Sequence, residues 1–382
     1  MRIMTIAAAL LASAALTGSA FAQAKPPIKL ADVAELSGQA ATAANNWKNG
    51  IDMAVAEINA AGGVLGGHMI EVSHADSQSN PGLARALVQK ALDSEPYALL
   101  GPTSSGSVKV TAALAQQAGV TQVMAGEASE LTRMGDPHLF RTSFGQQSSM
   151  PKLALWVAKE LQAKSVAVVW VNNDFGKGGR DEFKKAAEKL DVKVVADLST
   201  EAGQVDFAAD VLKVKNAKPD AVFVYTNEDE SARFLREAQK QNLGVPMIGE
   251  TTLLGQKVID LAAGAAEGVK GHVGLTADAD VDLIKDFKKK FTAKYNYAPD
   301  HNCIKGYIAI YAIKVATEKM GKLDPKNLSK AMHGLSINVK DVPQMLLNVS
   351  WDENGDIDRD SFLAEVKGGK QQIIKVLPKL NP

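Results

Sequence analysis

The stretch "LLGPTSSGSV", residues 99–108, decides how the chain reads. An apolar run ends in Gly-Pro, meets a Thr and two Ser, and opens into a helix-like pattern. In an open parallel sheet such a corner lies beyond the carboxyl end of a strand, where ligands sit. The helix that follows presents unpaired N–H groups and the positive end of its dipole. Gly101 and Gly106 let backbone approach a guest closely, and Ser104 and Ser105 add hydroxyl donors. A carboxylate is the natural guest. The alternative is that the two serines only cap the helix.

Working outward, strand-like and helix-like segments alternate on both sides of this corner. Ile28 to Ala34 is a β-type run, and Trp47, Ile51, Ala54, Val55 and Ile58 recur at helical spacing until Gly62-Gly63. Met69 to His74 reads as a strand, Pro81 to Leu92 as a helix, and Val120 to Met124 as another strand. The rhythm restarts at the apolar "SVAVVWV", residues 165–171, followed by a helix over Gly179–Leu190 and a strand over Val192–Val195. Strands over Ala221–Tyr225 and Val245–Ile248 alternate with helices over Phe207–Lys215 and Glu230–Gln241. Two long helices, Asp280 to Tyr295 and Asn302 to Lys319, precede short strands with tight turns. This is the pattern of an α/β protein with two doubly wound parallel-sheet lobes.

The first residues read as an export signal. Arg2 gives the positive start, Ile6 to Leu16 the apolar core, and Ala20-Phe21-Ala22 the small-x-small cleavage pattern. Residues 1–22 are therefore expected to be a signal peptide and the mature protein periplasmic. About 360 residues remain, enough for two domains. Lysine plus arginine equals aspartate plus glutamate, 43 each, with no basic block, so nucleic acid is not an expected partner. The one cysteine, Cys303, excludes an internal disulfide and reads as a buried apolar residue at a helix start.

Motifs for catalysis fail on their spacing. "FGKGG", residues 175–179, lacks the distal Gly and the Ser or Thr of a phosphate loop. "DENGDIDRD", residues 352–360, has Ser where a calcium loop needs Asp and Glu at its ends, and reads as an Asn-Gly turn. No Gly-x-Ser-x-Gly elbow occurs, and the six His lack metal-ligand spacing. His301, beside Pro299 and Asp300, reads as a capping or surface residue rather than a base. No enzyme activity, metal or cofactor is expected.

The order "LSGQAA", "GIDMAVAEINAAGGVLGG", "DSQSNPGLARALVQKAL", "LLGPTSSG", "RTSF", "NDFGKGGRDEF", "FLREAQKQNL", "MIGETTL", "AAEGVKG" and "WDENGD" resembles the periplasmic binding proteins of Leu/Ile/Val-type ABC transporters. The resemblance covers nearly all of the mature chain. It implies two lobes joined by three hinge crossings: lobe 1 over residues 26–143 plus 275–348, lobe 2 over residues 144–274 plus 349–382. It implies a receptor that delivers an amino acid, or a related small acid or amide, to the membrane permease of an ABC importer. The alternative on the same fold is a sensor of amides or aromatic acids.

By that resemblance Ser105, with Ser104 beside it, grips a ligand carboxylate, and Ala125 offers a backbone carbonyl to an α-ammonium. Glu127 stands where a Thr is expected. Glu250, or Thr251 by a one-residue shift, matches the acid that binds the ammonium. Phe175 replaces a Tyr, Asn227 takes an aromatic position, and Ala43 takes a Tyr position, with Trp47 nearby. The expectation is that Glu127 and Glu250 face one cationic or amide end of the ligand together, unless Glu127 instead caps a helix near Ser129.

Overall fold

The computed structural model describes residues 25–357 and 359–379. The predicted export signal lies outside the described residues. The first sheet alternates strands with covering helices: β1 (Ile28–Ala34), α1 (Ala41–Ala60), β2 (Ile70–Asp76), α2 (Pro81–Leu92), β3 (Ala98–Leu100), α3 (Ser105–Ala118), β4 (Gln122–Met124) and β5 (Leu139–Arg141). Among the described residues these strands form a five-stranded sheet ordered β2-β1-β3-β4-β5, parallel throughout.

The chain then enters the second lobe through α4 (Gln146–Lys159). It continues as β6 (Ser165–Val171), α5 (Asp174–Glu188), β7 (Lys193–Thr200), α6 (Ala208–Ala217), β8 (Ala221–Tyr225), α7 (Glu228–Lys240), β9 (Met247–Gly249), α8 (Gln256–Ala262) and β10 (Lys270–Val273). It returns to the first lobe as α9 (Asp282–Tyr295), α10 (His301–Met320) and α11 (Pro325–Met332). A short ladder pairs β11 (Ser336–Ile337) with β12 (Val349–Ser350). The last strands, β13 (Ser361–Lys367) and β14 (Lys370–Leu377), complete a second sheet ordered β14-β13-β10-β9-β8-β6-β7 among the described residues. Only β13 and β14 run antiparallel to their neighbours in it. The apolar β6 lies inside this sheet between β8 and β7, as a strand buried on both faces should.

The chain passes between the sheets three times, and these passages brace one another. Arg141 N–H donates to the Gly355 carbonyl at 3.0 Å, and the Trp351 indole N–H donates to the Arg141 carbonyl at 2.8 Å. Phe144 bridges to Ile357. Its ring fills the space above Gly274, where an added Cβ would come within 2.5 Å of it. Residues 351–357 make the expected turn, closed by a bridge between Trp351 and Ile357. Asp352 Oδ1 accepts the N–H groups of Asn354 and Asp356.

Several elements differ from their sequence reading for local reasons. α5 begins at Asp174 rather than Gly179, because Asn173 caps it by accepting the Gly176 N–H at 2.8 Å. β7 runs on to Thr200, since its partner β6 offers pairing as far as Val171. α4 was not expected: it carries Pro151 inside, and packs against α5 nonetheless. Trp47 does not face a ligand; it is fully buried, and its indole N–H donates to Asp32 at 3.0 Å. Asp32 also bonds His74, which Asp52 holds from the other side. Burial works against charge on His74, but hydrogen bonds to the two carboxylates push it up to about 9.

One crossing positions the site. α10 is buried nearly all round over its first four turns, so it must be enclosed by other elements. It lies against α1 with backbone touching backbone. A Cβ on Gly306 would stand 2.1 Å from the Trp47 carbonyl oxygen, and one on Gly50 would stand 1.9 Å from that of Cys303. Glycine is the only residue that fits at either point. Asp300 fixes the start of α10 by accepting the N–H groups of Asn302 and Cys303. Cys303 is buried, as its sequence context implies.

In an open helix position Ala is preferred to Gly, so Gly306→Ala would stabilise an unpacked helix. Here it is expected to cost about 1–3 kcal/mol or more through overpacking. Urea unfolding of the variant measures this. A variant as stable as the wild type would show that α10 is free to shift.

Candidate ligand cleft

A cavity of about 220 Å³ lies between the lobes. It is smaller than the roughly 300–1,000 Å³ typical of drug-sized ligands, so its guest is a small metabolite. Its mouth is closed by contacts from lobe to lobe. Gln39 donates to the Ala202 carbonyl at 3.1 Å, and Lys257 Nζ reaches Thr42 Oγ1 at 2.5 Å. Lys109 on α3 pairs with Asp174 on α5 at 3.0 Å.

The corner after β3 forms the floor. Gly101 has φ +73°, and a Cβ there would meet the Val33 carbonyl oxygen at 2.5 Å. The serines do not cap α3. Glu35, fully buried, does that work, accepting the Thr103 N–H at 3.0 Å, the Ser104 N–H at 3.3 Å and the Thr103 hydroxyl at 2.6 Å. Ser104 stands at the N-cap and makes no side-chain capping bond. Ser105 Oγ instead accepts the N–H groups of Glu127 and Ala128, both at 3.2 Å. With its acceptor capacity used, what Ser105 can offer is its hydroxyl proton. Both serines line the cavity, as do Ala125, Glu127, Phe175 and Asn227.

Glu127 sits in a rigid loop. Its carbonyl accepts the Gln146 N–H at 2.9 Å and Arg141 Nη1 at 2.8 Å. Arg141 is fully buried and pairs through Nε with Asp356 at 2.7 Å. The Glu127 carboxylate does not cap a helix. It meets Lys305 Nζ, from α10, at 2.7 Å. Burial pushes this carboxyl above its ordinary value while Lys305 pulls it back, and the neighbouring charge of Glu250 adds to the rise.

Glu250 is not among the residues that line the cavity. It is buried behind them, with Oε1 3.0 Å from His272 Nδ1 and 2.8 Å from the Thr251 hydroxyl. Burial opposes its charge, but these bonds hold it below the usual carboxylate range. Glu127 and Glu250 therefore do not face one ligand group together. The second lobe contributes Phe175, stacked on Tyr225 at 4.3 Å between ring centroids, and Asn227, whose amide donates to Glu230 at 3.0 Å. Glu228 lines the cavity from the first residue of α7, and burial pushes its carboxyl up to about 7.

The sequence reading missed the contribution of α10. His301, Asn302 and Lys305 all line the cavity. His301 is neither a cap nor a surface residue: it is 5% exposed, and burial, with Lys305 next to it, pushes it down to about 4. It is neutral at pH 7. The signal that could have found these residues is their spacing, His301 and Lys305 one turn apart just after a helix-capping Asp.

Removing one partner of a buried ion pair leaves the other uncompensated. Lys305→Met is expected to destabilise the protein by about 3–5 kcal/mol at pH 7. The loss should shrink as the pH falls toward 4.5, the ordinary value of the carboxyl, because Glu127 then protonates in folded and unfolded states alike. Urea unfolding of both proteins across this range is the measurement. An equal deficit at every pH would mean that Lys305 acts through packing alone.

Comparison with known proteins agrees with this architecture. Residues 27–371 match the family described as "Periplasmic binding protein". The leucine-, isoleucine-, valine-, threonine- and alanine-binding protein of Pseudomonas aeruginosa is 27% identical, the match covering 92% of this chain and 93% of that protein. The Leu/Ile/Val-binding protein BraC3 of Rhizobium johnstonii is 26% identical over 95% of this chain and 96% of its own. Among solved structures, an ABC-transporter solute-binding protein of R. palustris in complex with benzoate has a TM-score of 0.85 at 23% identity, over 93% of this chain and 98% of that one. LivJ of Streptococcus pneumoniae, in complex with isoleucine, has a TM-score of 0.82 at 24% identity, over 92% and 99%. These relatives are solute binders, and this chain is not an enzyme. Two parallel-sheet lobes closing on a cleft, matched along nearly their whole length, make this chain a member of the periplasmic binding protein family, akin to its Leu/Ile/Val-binding branch.

Proposed function

We propose that this protein is a periplasmic receptor that binds a small carboxylate-bearing solute, an amino acid or a related acid or amide, and presents it to the permease of an ABC importer. The observation that carries the reading is the corner at α3. Its helix start and the Ser105 hydroxyl border a closed cavity, while Glu35 rather than either serine caps the backbone. A carboxylate there meets N–H and O–H donors in a site from which closure removes water, so the bonds are charge-assisted and strong. The relatives named as Leu/Ile/Val-binding proteins, and the solute-binding protein that holds benzoate, support a carboxylate guest. Permease recognition follows from closure, since only a closed molecule presents the outer surfaces of both lobes in fixed relation.

Ser105→Ala is expected to weaken solute binding by about 1.5–3 kcal/mol, the range for a hydrogen bond to a charged group. Calorimetry with the solute recovered from denatured protein measures it. Unchanged affinity would remove Ser105 from the grip. Small-angle scattering should also show a smaller radius of gyration with solute than without, because rigid lobes close about a hinge. Identical curves at saturating solute would count against the clamp.

A further inference from the structure

We infer that the solute is a carboxylic acid without an amino group, and that Lys305 sets this choice. The inference rests on the receptor reading above and narrows it. An amino acid needs an anion grip and a free acidic partner for its ammonium. The cleft has the first. The starts of α3, α5, α7 and α10 all contribute lining residues, so several positive helix ends bound one small volume.

The second is missing among the lining residues. Glu127 stands one loop away from the α3 corner, but its Oε1 is already 2.7 Å from Lys305 Nζ. Lys305 is held in place by α10, whose packing on α1 leaves no room for retreat. An ammonium brought to Glu127 would therefore stand beside a second cation in a site shielded from water, where like charges repel strongly. Glu250 offers no substitute, since His272 and Thr251 engage it outside the lining.

The remaining acid is Glu228. Its neighbours include Lys257, Asp300 and Glu230, and its carboxyl sits near its midpoint of protonation at neutral pH. Such a group donates a hydrogen bond as readily as it accepts one, which suits a hydroxyl or carbonyl at the solute's far end better than a fixed cation. His301 is neutral and can also bond such a group. Between the two ends, Phe175, backed by Tyr225, gives a flat apolar wall, and Ala43 and Pro81 add apolar surface. The solute class is thus a small monocarboxylate with an aromatic or branched aliphatic body, a 2-oxo acid among them.

The test compares acids in pairs on protein stripped of bound solute by unfolding and refolding. The pairs are leucine with 4-methyl-2-oxopentanoate, and phenylalanine with phenylpyruvate; benzoate and an ω-amino acid complete the panel. Calorimetry of the wild type should show the amino-free member bound at least about tenfold tighter, the effect of a like charge in a desolvated site. Lys305→Met should narrow or invert that ratio. Where this variant does not fold, the uncharged double variant Glu127→Gln with Lys305→Met serves in its place, and its ratio should fall toward one. Equal or tighter binding of the amino members or the ω-amino acid by the wild type overturns the inference and leaves the receptor reading standing. An unchanged ratio in the double variant removes Lys305 from the choice. Binding of no acid in the panel overturns the receptor reading itself, and the inference with it.

Discussion

The site depends on one steric constraint, the contact of α1 and α10 at Gly50 and Gly306. Each glycine faces a carbonyl of the other helix at a distance that admits no Cβ. The two helices therefore have a single depth of packing. That depth places the start of α10, with its Asp300 cap, at the edge of the cleft. His301 and Lys305 enter the cavity because the crossing leaves them no other place. The ion pair with Glu127 is thus assembled by two elements that are each rigid for independent reasons: α10 by packing, and the Glu127 loop by the buried Arg141 and the Ser105 hydroxyl.

A division of labour in the first lobe follows from Glu35. A helix start needs its N–H groups satisfied, and serines at that start are the usual means. Here a buried carboxylate does it from β1's end, and bonds Thr103 as well. Ser105 is then free to brace the neighbouring loop while keeping a proton for the cavity. The same hydroxyl holds two strand-end loops in register and borders the space between them. Stability and recognition are joined in one atom.

The sequence carried most of the fold because most of it is local. β1, α2, β6 and β8 have the bounds their apolar patterns imply, and α3 ends at Gly119 in a left-handed cap. What it hid is set by contacts between distant residues. α4 reads as a polar linker with a proline, and becomes a helix by packing on α5. The corner serines, Ala125 and Glu127 were legible as site candidates because strand ends in a parallel sheet gather at one edge. Lys305 was not, since a lysine on a long helix looks the same whether it meets water or an acid 178 positions earlier in the chain. Glu250 erred in the opposite sense: its strand-end position suggested exposure to ligand, while His272 on the adjacent strand drew it inward.

The three passages between the lobes are bonded to one another, Arg141 to Gly355 and Trp351, Phe144 to Ile357 and against Gly274. Strands tied in this way cannot bend separately. The lobes have in effect one coordinate of motion, an angle about a common axis. A guest that fills the cavity without propping it lets that angle reach its minimum, and a bulkier one stops it short. The hinge thereby converts molecular size into an angle, so the protein measures its solute as well as holding it.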